Sequence, residues 1–326
     1  MHAAAHCTDA ARTAKIRINE IFTTLSSDYH RYSSGNLCRS PVLAPARAGN
    51  RIFSISMNPT KPEGSFERTL TVDAAGSVRL DVSINSGVIR VRQGEPGQVH
   101  IRGVLRGRSN LFPWGDTGSR IRRLEADPPI AQDDNAITVG DAMDRWLLRG
   151  VNLLIEVTVP QATEVRALAD SGDIRIHGVD GPVECEADSG EISIANIASE
   201  VRAKTDSGSI HIRGVNGPID AHTDNGGIEA LEIAGTIDAV TDNGEIDVSQ
   251  TKPATICIHS DNGRVRAQLA PEGGYSLHVR TDNGQIEAPP LTKQRSTGHE
   301  LEGDIRGGGS VVDIETDNGD IEVLVR

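Results

Sequence analysis

From Asp170 onward, apolar and polar residues alternate in short runs, and the runs return in the same phase about every eighteen residues. One column holds Ile174 and Ile176, Ile192 and Ile194, Ile210 and Ile212, Ile228 and Ala230, then Ile246 and Val248. A second holds Val183 and Cys185, Val201 and Ala203, Ile219 and Ala221, Ile237 and Ala239. Val179, Ile197, Val215 and Ile233 keep a third. Alternation with a period of two predicts half-buried strands, two in each repeat.

The punctuation between the runs is equally regular. The tripeptide DSG or DNG begins at Asp170, Asp188, Asp206, Asp224, Asp242, Asp261, Asp282 and Asp317, with steps of 18, 18, 18, 18, 19, 21 and 35 residues. An outlying NSG at Asn85 is followed by VIRV. Second corners such as HGVDGP and RGVNGP supply Gly for unusual backbone angles and Pro for a fixed bend. No helical pattern intervenes, so each strand must pair with its equivalent one coil away. The fold class predicted is all-β: a parallel β-solenoid with coils of about eighteen residues and one short helical insert. At about 4.8 Å per coil, eight or nine coils make a rod roughly 40 Å long, with right-handed winding as the default. Small Ala, Thr and Cys residues in the second column predict a narrow cross-section, which agrees with an aromatic content of only 3%.

The remaining segments are read around this rod. Residues 1–56 have no periodic pattern and are expected to be a disordered head, or an extension ahead of a start at Met57. Residues 57–326 are expected to form a single solenoid domain, with residues 66–104 as its first coils. An insert at 105–150 contains PWGDTG turn material and a short helix over SRIRRLEAD, ended by Pro128 and Pro129. VNLLIEVTVP then feeds the array, and residues 289–310 read as a loop that accounts for the 35-residue step. The last strand, IEVLVR, has nothing after it, so the final coil is expected to be covered by that loop or by a second molecule.

Charge changes the picture more than composition does. Residues 1–160 carry a net +4 and residues 161–326 a net −17, within a total of −13. So acidic a second half does not suit phosphate neutralisation or an anionic membrane surface, which excludes nucleic acid as its partner. No apolar run reaches the roughly 18 residues of a transmembrane helix, and no secretory h-region is visible, which points to the cytoplasm. Cys7, Cys38, Cys185 and Cys257 lie far apart, without the spacing of a disulfide framework or a zinc site.

Candidate chemistry is sparse, and no catalytic, cofactor-binding or metal-ligating residue is assigned. The Asp170–Asp317 turn ladder stacks carboxylates about 4.8 Å apart, where a pair repels by about 1 kcal/mol in water. Asx-turns within each corner, or bridging Ca²⁺, would offset this; the GGxGxDxUx pattern of calcium rolls is absent, which favours the turns. Asp220 with Asp238, and Glu229 with Asp247, also share coil positions, a separation close to the roughly 5 Å of a retaining glycosidase. A sugar groove would need aromatics, and after Trp146 there is only Tyr275. Glu184 beside Arg202 and Glu186 beside Lys204 read as ordinary cross-strand pairs. The histidines His177, His211, His222, His259 and His278 do not converge, and His6, Cys7, His30 and Cys38 lack ligand spacing. Arg90, Arg92, Arg102, Arg106, Arg108, Arg120, Arg122 and Arg123, with Phe112 and Trp114 nearby, form a basic patch. It reads either as a contact for an anionic polymer or as a complement to the acidic rod.

FERTLTV, NSGVIRVR, RIRRLEADPPI leading into ITVG, and LLRGVNLLIEVTVP before the tandem DSGDI and TDNGEI turns resemble a bacterial family of putative adhesins of unknown function. That family is related to the head-GIN auto-transporter adhesin domains. The resemblance spans roughly residues 66–326. It implies a β-solenoid without catalytic residues, associated with the cell envelope or exported. Together, the readings describe a non-enzymatic binding or scaffold protein that needs no cofactor and presents a repetitive acidic surface to a protein or glycan partner, with self-association through the end coils as a further expectation. The alternatives are a Ca²⁺-stabilised repeat protein and, less favoured, a polysaccharide-active β-helix enzyme.

Overall fold

A computed structural model of the chain describes residues 63–107, 117–140 and 150–325. Its elements run β1 (Glu63–Thr71), β2 (Val78–Gln93), β3 (Gln98–Gly107), α1 (Thr117–Ala126), β4 (Ile130–Asp133), β5 (Ala136–Val139), β6 (Val151–Val159) and β7 (Thr163–His177). The regular array follows as β8 (Val183–Ser189), β9 (Ile192–Ile197), β10 (Val201–Ser207), β11 (Ile210–Val215), β12 (Ile219–Asn225), β13 (Ile228–Ile233), β14 (Ile237–Asn243), β15 (Ile246–Gln250), β16 (Ile256–Asn262) and β17 (Val265–Leu269). The chain closes with β18 (Tyr275–Asn283), β19 (Ile286–Glu287), β20 (Thr292–Thr297), β21 (Glu300–Ile305), β22 (Ser310–Asn318) and β23 (Ile321–Val325).

The fold is the parallel β-solenoid that the periodicity predicts. Strands entering each DSG or DNG turn form one ladder, and strands leaving it form another. In the entry ladder Val201 pairs with both Val183 and Ile219, and in the exit ladder Ile210 pairs with both Ile192 and Ile228. The inward residues of both ladders join one hydrophobic core, and Ile192, Ile210, Ile228 and Ile246 are each no more than 1% exposed. Cys185 is a buried, free member of that core, and burial pushes its thiol up.

Three side-chain and backbone columns hold the turns at one-coil spacing. Gly190, Gly208, Gly226, Gly244 and Gly263 stack so closely that a Cβ on any of them would strike the carbonyl oxygen of the glycine below. The backbone N–H of each donates to Ser207, Asn225, Asn243, Asn262 and Asn318 respectively, at 2.9–3.0 Å. Buried Thr223 and Thr241 donate their hydroxyls to Gly208 and Gly226 at 3.0 Å. Asn243 donates to Asn225, Asn262 to Asn243, Asn318 to Asn262 and Asn283 to Asn318, at 3.0–3.2 Å, so each amide serves the next coil. Ser260 holds the threonine position in β16, but its buried hydroxyl finds no partner.

Order in space departs from order in the chain at both ends. β16 and β17 pair with β22 and β23 rather than with β18 and β19, which lie one place further out. The 21-residue step from Asp261 to Asp282 is therefore not a step between neighbours, contrary to the reading of each strand against its successor. At the other end β5 and β6 lie outside β2, while β7 lies on its inner side. Among the described residues ten coils are stacked, rather than eight or nine. Residues 66–104 contribute only β2 to the coils, because β1 and β3 pair antiparallel and β3 lies antiparallel on β6. Residues 289–310 contain the antiparallel hairpin β20–β21, whose second strand covers the outer edge of β18. The chain's last strand, β23, is held between β17 and β19.

Candidate functional site

Outward side chains fall into columns, because each coil presents the same positions. On the entry ladder one column runs Asp81, Arg166, Glu184, Arg202, Asp220, Asp238, Cys257, Asp313 and His278. Glu184 pairs with Arg166 at 3.5 Å and Arg202 with Asp220 at 3.2 Å, so the expected Glu184–Arg202 pair is exchanged for neighbours on either side. Asp220 and Asp238 do stack, as the spacing predicts. Burial pushes the Asp238 carboxyl up, whereas His222 and Arg202 outweigh burial at Asp220 and hold its carboxyl down. His222 Nδ1 lies 2.9 Å from Asp220 Oδ1, but that oxygen is without an aligned hydrogen bond.

The exit ladder carries both signs along the rod. One of its columns runs Glu156, Arg90, Arg175, Ser193, His211, Glu229, Asp247, Arg266, Glu322 and Glu287, so carboxylates dominate the later coils but Arg266 stands among them. His211 meets Glu229 at 3.0 Å, Arg213 meets Glu232 at 2.6 Å and Arg266 meets Glu322 at 3.5 Å. Asp247, stacked on Glu229, has its carboxyl pushed up by burial and by the neighbouring carboxylates, with Arg266 opposing.

Much of the basic patch is neutralised where it stands. Arg90 and Arg102 share Glu156, at 3.2 and 3.6 Å, and Arg106 faces Glu63 at 3.6 Å. Arg122 and Arg123 are exposed on α1, whose Ile121 and Leu124 are buried. Arg108, Phe112 and Trp114 lie outside the described residues.

The histidines stay dispersed except where the cap folds back. His278 Nδ1 lies 2.9 Å from Asp313 Oδ1, and His278 Nε2 lies 3.2 Å from Glu300 Oε1. The two carboxylates hold the imidazole up to about 9 against the cost of burial, Asp313 contributing most. Glu302 opposes His278 across β18–β21. Among the described residues, His278, Glu300 and Glu302 are the group of three whose donor atoms converge within 4.8 Å; the Asp170–Asp317 ladder gathers no such set. This cluster was hidden in the sequence because Glu300 and Glu302 sat in a segment read as a loop. Alternation in HELEGDI was the available signal for a strand there.

A model of the Toastrack DUF4097 family matches residues 122–324. The chain belongs to the Toastrack family. The tandem DSG and DNG turns and the coils from β5 onward lie within the matched span, whereas β1, β3 and the coil formed by β2 lie outside it. Among solved structures, this Toastrack chain is similar to a putative adhesin from Bacteroides fragilis, at 12% identity over 80% of this chain and 97% of that one, with a TM-score of 0.42. A putative cell adhesion protein from Clostridium sporogenes aligns at 11% identity over 80% of this chain and 100% of its own, with a TM-score of 0.27. No curated protein matches the chain. Among the described residues, no helix of this Toastrack protein is long and apolar enough to cross a membrane.

Proposed function

We propose that this Toastrack chain is a non-enzymatic interaction module that offers the outer face of its solenoid to a protein or glycan of the cell envelope. The carrying observation is the exit ladder, a charged outward column with Arg90 and Arg175 in its early coils and Glu229, Asp247, Glu322 and Glu287 predominating, around Arg266, in its later ones. Such a face attracts a partner of complementary charge order and repels one in the wrong register. The family assignment supports an adhesin-like role, and with it a place at the cell envelope. The Asp220–Asp238 pair has one carboxyl raised and one lowered, as acid and base catalysts do. A stack of identical coils produces such pairs without selection for chemistry, and this pair has no sugar-stacking aromatic on its strands.

The test is affinity capture with tagged full-length chain from soluble and envelope fractions of its own cells, alongside the variant Glu229→Gln/Asp247→Asn. An envelope component retained by the wild type and lost by the variant supports the reading. Recovery of the chain alone, or equal recovery by both proteins, overturns it.

A further inference from the structure

We propose that His278, Glu300 and Glu302 form a binding site for a divalent transition-metal ion at the capped end of the solenoid. The three side chains come from two strands that the chain brings together only by folding back. His278 points outward from β18, and Glu300 and Glu302 stand two apart on β21, hence on the same face of the antiparallel pair. Their donor atoms lie within 4.8 Å of one another. Metal–nitrogen and metal–oxygen bonds of about 2.0–2.1 Å place adjacent tetrahedral donors about 3.3 Å apart. The Nε2 of His278 and Oε1 of Glu300 are already 3.2 Å apart, the spacing of two neighbouring ligands.

A second observation is independent of the three donors. Asp313, on β22, has a side chain only 7% exposed and meets the far ring nitrogen of His278 at 2.9 Å. A buried carboxylate on Nδ1 fixes the imidazole orientation and directs Nε2 at the carboxylates, as the outer-shell partner of a metal-bound histidine does. Competing cations are placed elsewhere: Arg280, opposite Glu300, spends its guanidinium on Asp282 at 2.9 Å and Glu315 at 3.1 Å. Arg295 opposes Glu302 across β20–β21. One imidazole with two carboxylates suits Zn²⁺ and its first-row neighbours rather than Ca²⁺ or Mg²⁺, which take all-oxygen shells. The ion would replace the proton on Nε2 and tie the hairpin β20–β21 to the last coil. The inference stands whether or not the interaction role is correct.

The test is Zn²⁺ titration of the full-length chain by calorimetry, beside Glu302→Gln, Glu300→Gln/Glu302→Gln and Asp313→Asn, each first shown to melt cooperatively. Zinc held by other histidines or cysteines of the chain is unchanged in these variants, so the difference between proteins is the readout. The expected result is one Zn²⁺ per chain lost in the double variant, and an affinity at least tenfold weaker in Glu302→Gln and in Asp313→Asn. Absence of Zn²⁺ binding in the wild type, or identical isotherms for the wild type and the double variant, would overturn the site. Glu302 is only half-buried and Gln is close to it in size, so Glu302→Gln keeps the proposal open to refutation even if Asp313→Asn does not fold.

Discussion

The middle of the rod and its two ends solve the same problem differently. From β8 to β17 each strand pairs with its equivalent one coil away, and the DSG and DNG columns run without interruption. At each end the neighbouring coil in the chain is pushed outward, and the coil left behind is clamped from both sides. The outermost coils then receive antiparallel cover, from β4 and β3 at one end and from β21 at the other. Repetition alone leaves an unpaired edge on the last coil, a template for any other strand. The ends therefore give up periodicity in order to stop the array, while the middle keeps it to extend the array.

The sharpest way to break this contrast is to add one methyl group in each region. In the middle, a Cβ on Gly263 would collide with the backbone carbonyl of Gly244, which is itself pinned by a hydrogen bond from Gly244 to Asn262. Neither coil can retreat without opening the stack. Gly263→Ala is expected to cost about 3–5 kcal/mol or to prevent folding, in the range of strain and core-disrupting changes. At the cap, Gly298 has open space around its Cβ position, and Gly298→Ala should stay within about 0.5 kcal/mol. Urea midpoints of the two variants decide the matter; equal midpoints would mean that the glycine column is not what sets the coil spacing.

Removing the cap tests the other half of the comparison. Replacement of residues 289–308 by a short Gly-Ser linker would strip β21 from β18 and leave Leu277 and Val279 on an open edge strand. The variant should self-associate as its concentration rises, whereas the wild type should not, because its edge is already paired. Light scattering after size exclusion reads this directly, and a variant that stays monomeric at high concentration would mean that β18 needs no cover.

The same division governs what could be read from the sequence. The interior was legible because each inward position repeats: Ile192, Ile210, Ile228 and Ile246 carry the register in their spacing, and they stack in that register in the fold. The order of coils at the ends was not legible, since β22 and β18 carry the same TDN turn and either could follow β16 in register. Period-two patterning fixes the face of a strand but not which equivalent neighbour it takes. Cover from residues 289–310 is expected from the sequence, but the strands that supply it are not, for a different reason: Thr292–Thr297 is exposed throughout, so its strand has no buried residue to announce it. With β20 and β21 unseen, the convergence of Glu300 and Glu302 on His278 could not be anticipated.

The smallest expected effect tests a cost that regularity imposes on the middle alone. Asp247 stacks in register on Glu229, and both that charge and partial burial push its carboxyl above the ordinary 3.8. The folded state thus holds the Asp247 proton more tightly than the unfolded chain does. Proton uptake on folding means that this group's contribution to stability falls as pH rises from below 3.8 through its folded value, and stays low at neutral pH. Asp247→Asn removes the penalty but also the attraction of Arg266, so the gain at pH 7 should be only a few tenths of a kcal/mol, and less in high salt. The gain should shrink towards nothing as the wild-type carboxyl protonates. Melting curves of both proteins between pH 3 and 7 supply the check: a variant less stable at pH 7 would show that Arg266 outweighs Glu229, and that stacking like charges costs this fold nothing.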